Sequence, residues 1–139
     1  MILLDTSGIL AALFPDQREH AACARVVLEA KPPLVLSPFV LAELDYLVSK
    51  LAGETVEVEL LDEVARGAYQ LAPVDAGDVA RAREVIAHHR GLGVGLADAS
   101  IVVLSRRLGC RDVLTLDERH FRVLRGAQER PFRVLPADA

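Results

Sequence analysis

Four acids hold positions from which they could do chemistry together. Asp5 directly follows the apolar run Ile2–Leu4, and Glu43 lies in the segment after Leu34–Leu36. Asp98 opens the segment after Gly91, Gly93 and Gly95, and Asp117 directly follows Val113–Leu116. Two ionised carboxylates about 5 Å apart repel by roughly 3 kcal/mol at an effective dielectric of about 20, so four of them converging require bound cations. Hard divalent ions such as Mg²⁺ or Mn²⁺ suit oxygen donors, retain waters, lower the pKa of one of them and neutralise charge on a phosphate undergoing in-line displacement. The reaction class favoured is phosphodiester hydrolysis. Zinc fits poorly, because Cys23 and Cys110 lie away from these segments and His20, His88, His89 and His120 have no ligand spacing. His88 and His89 read as a solvated helix end, and His120 as a surface residue.

Each acid also has a simpler reading. Asp5, Asp98 and Asp117 stand where helices begin, and an Asp there stabilises free N–H groups and the helix dipole by about 0.5 to 2 kcal/mol with no catalytic duty. Glu43 has no such explanation. It shares a helix side with Val40 and Leu47, which face the core, whereas Asp45 points elsewhere.

The elements that must carry these acids alternate strand with helix. Ile2–Leu4 is a short strand, and Ser7 is the expected N-cap of a helix running through Phe14. A helix spans 18–30, Pro32-Pro33 ends it, and Leu34–Leu36 is a buried strand. Ser37 then caps a helix with Pro38 at its first position, with Val40, Leu41, Leu44, Leu47, Val48 and Leu51 at helical spacing up to Gly53. Further helices are expected at 55–66, at 75–89 behind Asp75, and from Leu96 to a basic end at Arg106, Arg107 and Gly109. Strands are expected at 69–72, 113–116 and 132–135, and a short helix at 118–124. Short, continuously apolar strands separated by helices imply a mainly parallel sheet covered on both faces, a three-layer α/β/α sandwich forming one domain over 1–139. Such sheets bind ligands beyond the carboxyl ends of their strands, which is where the acids fall.

A length of 139 residues, 52% of them hydrophobic, is enough for a core without disulfides or structural metal, and excludes disordered, collagen-like and disulfide-scaffold chains. Two buried, reduced thiols are expected. The apolar N-terminus has no basic lead, carries Asp5 and breaks at Pro15, and the stretch around Leu34–Val48 is interrupted by Pro38, Glu43 and Asp45, so neither spans a membrane and a cytoplasmic protein is expected. The net charge of −4 is unevenly placed: residues 1–104 carry −7 and residues 105–139 carry +3. The eight arginines of that last quarter provide a local field for phosphates, with Arg119 and Arg122, just beyond Asp117, the candidates for contact with a nucleic-acid substrate. With only six aromatics, a nucleic-acid strand would be read by shape and backbone more than by stacking. Related α/β enzymes are excluded residue by residue. Ser7 stands where a haloacid-dehalogenase-like phosphatase needs a second Asp, and no lysine follows Lys50, as a receiver domain would require.

The segments ILLDTSGILAALF, SPFVLAELDYLV, GLADASIVVLSRRLG and LTLDERHF, in this order and spacing, resemble the PIN-domain ribonucleases, and among them the VapC-type toxins of bacterial toxin-antitoxin pairs. The resemblance covers essentially the whole chain. It implies a metal-dependent endoribonuclease, usually a homodimer, in which Asp5, Glu43, Asp98 and Asp117 hold Mg²⁺ (or Mn²⁺ as substitute) and activate water. In that scheme Asp5, Asp98 and Asp117 bind the principal ion, and Glu43 positions a second ion or the attacking water. Thr6 or Ser7 and Thr115 match supporting polar positions. Gly8 stands where the family commonly has Ala, a departure expected to matter little on a helix. The resemblance further implies a VapB-type antitoxin whose C-terminal segment fills the groove near the acids. The competing reading is a catalytically idle PIN-like module that binds RNA or protein.

Overall fold

The computed structural model describes all 139 residues. Its five strands are β1 (Ile2–Leu4), β2 (Leu34–Leu36), β3 (Gln70–Leu71), β4 (Asp112–Leu114) and β5 (Arg133–Leu135), and its seven helices are α1 (Thr6–Leu13), α2 (His20–Glu29), α3 (Pro38–Ala52), α4 (Glu54–Ala65), α5 (Ala76–His88), α6 (Leu96–Leu108) and α7 (Glu118–Phe121). The strands form one sheet in the order β3-β2-β1-β4-β5, and every pairing is parallel. This is the expected α/β sandwich. β1 sits at the centre because Ile2, Leu3 and Leu4 are apolar on both faces and each is almost fully buried. Parallel register places the ends of β1, β2 and β4 side by side, with Leu4 beside both Leu36 and Leu114.

Local chemistry sets most boundaries. Ser37 Oγ accepts from the Phe39 N–H at 3.2 Å, with Pro38 at the first helical position of α3. Asp75 and Asp78 form a reciprocal capping box at α5, and Gly109 ends α6 in the left-handed conformation at φ 70°. α6 is the central helix of one layer: of the nine positions from Ala97 to Ser105 all but Asp98 are buried, and it packs against α5 on one side and α3 on another. Both cysteines are buried and free.

Several boundaries differ from the sequence expectation by one to three residues, α2 starting at His20 among them. β4 ends at Leu114, so Thr115 and Leu116 lie in the turn that follows, β3 shrinks to two residues, and α7 stops at Phe121. Thr115 favours strand geometry and its N–H still bonds the Leu135 carbonyl at 3.0 Å, but its hydroxyl is needed elsewhere. At the outer edge, the Val134 N–H of β5 donates to Asp138 Oδ2 at 2.8 Å, and Arg122 holds the same carboxylate through two contacts of 2.8 Å. No helix is long and apolar enough to cross a membrane.

Candidate metal centre

Asp5, directly after β1, is only 4% exposed. Its backbone N–H donates to the Leu114 carbonyl at 3.0 Å, joining the ends of the two central strands. The Ser7 and Thr115 hydroxyls both donate to Asp5 Oδ2, at 2.9 and 2.6 Å. Each hydroxyl in turn accepts a backbone N–H from the turn after β4, Leu116 to Ser7 and Asp117 to Thr115, both at 2.9 Å. The turn that delivers Asp117 is therefore tied to the carboxylate of Asp5. Burial pushes the Asp5 carboxyl above its ordinary value, the two hydroxyls pull it back, and the charge of Glu43 adds to the rise.

Two sequence expectations are corrected here. Ser7 is not the N-cap of α1. Asp5 occupies that position without capping through its side chain, and Ser7, in the first turn, serves the carboxylate instead. Gly8 is not a neutral departure from Ala. A Cβ built on it would lie 2.5 Å from the Leu114 carbonyl oxygen and 2.7 Å from its carbonyl carbon. The helix crosses β4 so closely that only glycine fits without displacement, and the contact is with backbone, which cannot rotate away.

Glu43 reaches the centre from α3. It is exposed, although its neighbours Val40 and Leu44 are buried, so it stands at the mouth of the cleft and not among core side chains. Asp45 points away, as expected, toward Glu57 of α4, whose carboxyl it pushes above its ordinary value. A hydroxyl relay ties α3 to the helix bearing Asp98. The Phe39 N–H donates to Ser37 Oγ, Ser37 and Ser100 Oγ lie 2.7 Å apart, and Ser100 Oγ donates to the Ala97 carbonyl at 2.6 Å. Every polar atom of this buried chain is satisfied, so it fixes the two helix starts relative to each other.

Asp98, in the first turn of α6, and Asp117, the N-cap of α7, meet at His120. Its Nδ1 lies 2.7 Å from Asp98 Oδ2 and 3.0 Å from Asp117 Oδ2, while Nε2 lies 3.0 Å from the Leu92 carbonyl oxygen. Both ring nitrogens face oxygen acceptors, the pattern of a doubly protonated imidazole. Burial pulls the imidazole down, but the bonds to Asp98 and Leu92 and the charges of both acids hold it above the ordinary histidine value. Burial and then the charge of Asp5 push the Asp98 carboxyl up to about 6 against the pull of His120. His120 is thus no surface residue. One ligand atom from each of Asp98, Asp117 and His120 falls within 4.8 Å of the others, the one group of three such residues in the chain that meets at this distance. The signal that could have found it is the spacing to Asp117, three positions along one helical turn.

All four acids line one cleft of about 460 Å³, together with Thr6, Ser7, Leu10, Leu47, Gly93 and Gly95. Thr6, 3% exposed, carries a buried hydroxyl oxygen with no hydrogen-bond partner beside the carboxylates. A donor set of carboxylates and hydroxyls with no thiolate fits a hard divalent cation, and the convergence of acids supplies the charge to hold one. Of the basic candidates, Arg122 is committed to Glu118 and Asp138, each at 2.8 Å, while Arg119 makes no ion pair.

Comparison with known proteins follows the same line. The profile of the PIN domain family matches residues 2–126. Ribonuclease VapC26 of Mycobacterium tuberculosis is 38% identical over 135 residues, 97% of this chain and 100% of that protein. Among solved structures, the Mycobacterium tuberculosis toxin VapC20, described as cleaving the sarcin-ricin loop, superposes with a TM-score of 0.78 at 21% identity, covering 84% of this chain and 90% of that one. VapBC2 from Rickettsia felis, solved bound to a DNA fragment from its promoter, superposes with a TM-score of 0.65 at 19% identity, covering 96% and 98%. At that identity the two structures share the fold.

Proposed function

This chain belongs to the PIN-domain family, and on that premise we propose that it is an endoribonuclease that hydrolyses phosphodiester bonds in RNA, the toxin of a VapBC-type pair. The observation that carries the reading is the convergence of Asp5, Glu43, Asp98 and Asp117 on one cleft from four separate elements. An idle binding module would have no use for four mutually repelling carboxylates kept together.

Asp5, Asp98 and Asp117 would hold Mg²⁺, or Mn²⁺ in its place. Such an ion supplies a more acidic bound water and neutralises charge on the phosphate being cleaved. The chain's own residues do the positioning. Ser7 and Thr115 fix Asp5 Oδ2 through their hydroxyls, so the carboxylate presents one orientation. Glu43, exposed at the mouth, is the acid free to orient the attacking water and accept its proton. Thr6 lines the same cleft with its hydroxyl oxygen buried. His120 holds Asp98 and Asp117 on one ring nitrogen and anchors the glycine loop through Leu92.

A VapB-type antitoxin completes the proposal, supported by the similarity to VapC26 and by the VapBC complex among the structural neighbours, and a homodimeric toxin acting in the cytoplasm is proposed with it. The test is RNA cleavage by the purified protein with Mg²⁺ or Mn²⁺. Expected are activity abolished by EDTA, activity abolished in Asp98→Asn at an unchanged circular dichroism spectrum, and growth arrest on expression relieved by the neighbouring small gene. Cleavage that survives both EDTA and Asp98→Asn would overturn the reading.

A further inference from the structure

The arginine-rich last quarter is less available to RNA than its sequence implies. Arg106 pairs with Glu129 at 3.0 Å, Arg107 with Asp78 at 2.8 Å, Arg122 with Glu118 and Asp138, and Arg133 with Asp112 at 3.2 Å. Four of the eight arginines are thus neutralised within the molecule, Arg119 stays unpaired beside Asp117, and a longer path for an RNA strand away from the acids needs further basic groups.

A second concavity, of about 430 Å³, adjoins the acidic cleft and shares Leu96 with it. Its other walls are Val79, Arg83, Ile86, Ala87 and Arg90, so it has two guanidinium groups and no acid in its lining. Val79, Arg83, Ile86 and Arg90 succeed one another at steps of four, three and four, a single stripe that alternates apolar with basic along α5 and just beyond it. Arg90 makes no ion pair with any acid. Arg83 touches only its neighbour Glu84, at 2.6 Å with both side chains largely exposed, a contact of the weak surface kind. Val79 is 44% exposed and Leu96 38%.

The connection to the acids is rigid. Arg90 and Leu96 stand at the two ends of the glycine loop, and the Leu92 carbonyl in the middle of that loop is bonded by His120, which holds Asp98 and Asp117. Gly93, at φ 80°, and Gly95 both line the acidic cleft, so at these two positions the loop presents backbone without a side chain to it.

We propose that this stripe is the track for the RNA strand flanking the scissile phosphate. Arg83 and Arg90 take neighbouring backbone phosphates, and Leu96 with Val79 and Ile86 provides an apolar surface for the intervening bases. The inference rests on the ribonuclease reading above. Charge selects the occupant: an anionic chain must leave an acidic centre along a route that is basic, and this route is both basic and contiguous with the centre.

The test uses the full-length protein carrying Asp5→Asn to prevent cleavage, with a fluorescein-labelled single-stranded RNA followed by anisotropy over a salt series in the presence of Mg²⁺. Adding Arg83→Glu and Arg90→Glu is expected to weaken binding by tenfold or more, and to lower the slope of log Kd against log salt by about 1.4, since each lost contact to single-stranded phosphate removes about 0.7. Leu96→Ala is expected to weaken binding at an unchanged salt slope. Unaltered affinity in the double arginine variant, while the unmodified protein still cleaves RNA, would overturn the track and leave the ribonuclease reading standing. An altered mass by light scattering with unaltered RNA affinity would assign the face to protein contact and likewise overturn it. Failure of the unmodified protein to cleave RNA at all would instead be a failure of the ribonuclease reading.

Discussion

The Cα of Gly8 lies so close to the Leu114 carbonyl that a methyl group on it would sit 2.5 Å from the oxygen. That same oxygen accepts the Asp5 N–H, so the crossing of α1 over β4 and the seat of Asp5 are one contact seen from two sides. Intrinsic helix propensity favours alanine over glycine by about 1 kcal/mol. Gly8→Ala is nevertheless expected to destabilise by about 1 to 3 kcal/mol, because the obstruction is backbone. Urea unfolding decides the sign, and a stabilised variant would show that the helix can lift without loss.

Thr115 makes two bonds with one hydroxyl, donating to Asp5 Oδ2 and accepting from the Asp117 N–H. Thr115→Val keeps the shape and removes both. A loss of about 1 to 3 kcal/mol in stability is expected, with Mn²⁺ binding weakened in calorimetry because Asp5 and Asp117 lose their common tether. Thr115→Ser should restore both measurements toward the starting protein.

Protons and metal compete at Asp98, whose carboxyl burial pushes up to about 6. Mn²⁺ affinity is expected to fall roughly tenfold per pH unit below about 6, with one proton released per ion bound there. In the metal-free protein the sign follows from a folded-state value raised above the unfolded one. The associated stability is fully present below the ordinary carboxylate value and is lost as pH rises through about 6. Urea midpoints measured in EDTA between pH 4 and 7 check this, and Asp98→Asn should flatten the profile across that window.

His120 joins three segments, and replacing it separates two of its effects. In His120→Ala the loop around Leu92 loses its anchor, and amide exchange at residues 91–95 is expected to accelerate, with weaker Mn²⁺ binding. His120→Asn retains a short donor toward Asp98 but cannot span to Leu92. It should recover metal affinity and not loop protection; equal recovery of both would contradict the division of labour between Nδ1 and Nε2.

Arg119 and Arg122 were equivalent in sequence and are not in structure. Arg119→Ala is expected to weaken RNA binding and lower its salt slope, because that side chain has no internal partner. Arg122→Ala should leave the slope unchanged and loosen the C-terminal residues instead, since its charge is already spent on Glu118 and Asp138. Anisotropy for the first and proteolysis of the tail for the second provide the readings.

Much of this was legible in the chain because the determinants were local. Ser37-Pro38 marks the start of α3 by capping and fixed φ, Asp75 and Asp78 mark α5, and the apolar runs Ile2–Leu4 and Leu34–Leu36 mark central strands. The four acids could be placed together because parallel order brings strand ends to one edge. What could not be read depends on distance in space. Gly8 owes its identity to a carbonyl more than a hundred positions away, and Ser7 is drawn from capping by a carboxylate it shares with Thr115. His120 shows in sequence only its three-position spacing to Asp117, because its other acidic partner, Asp98, arrives from another helix, and Arg122 is silenced by a residue of the tail.

The carboxylate of Asp138 occupies the outer side of β5, bonding the Val134 N–H where a further strand would otherwise dock. A side chain thus stands in for a neighbour and closes that margin of the sheet. At the opposite margin β3 offers two residues, too few to template the pairing of another chain. The molecule therefore resists growth by strand addition, and its encounters with other molecules are left to helices and loops.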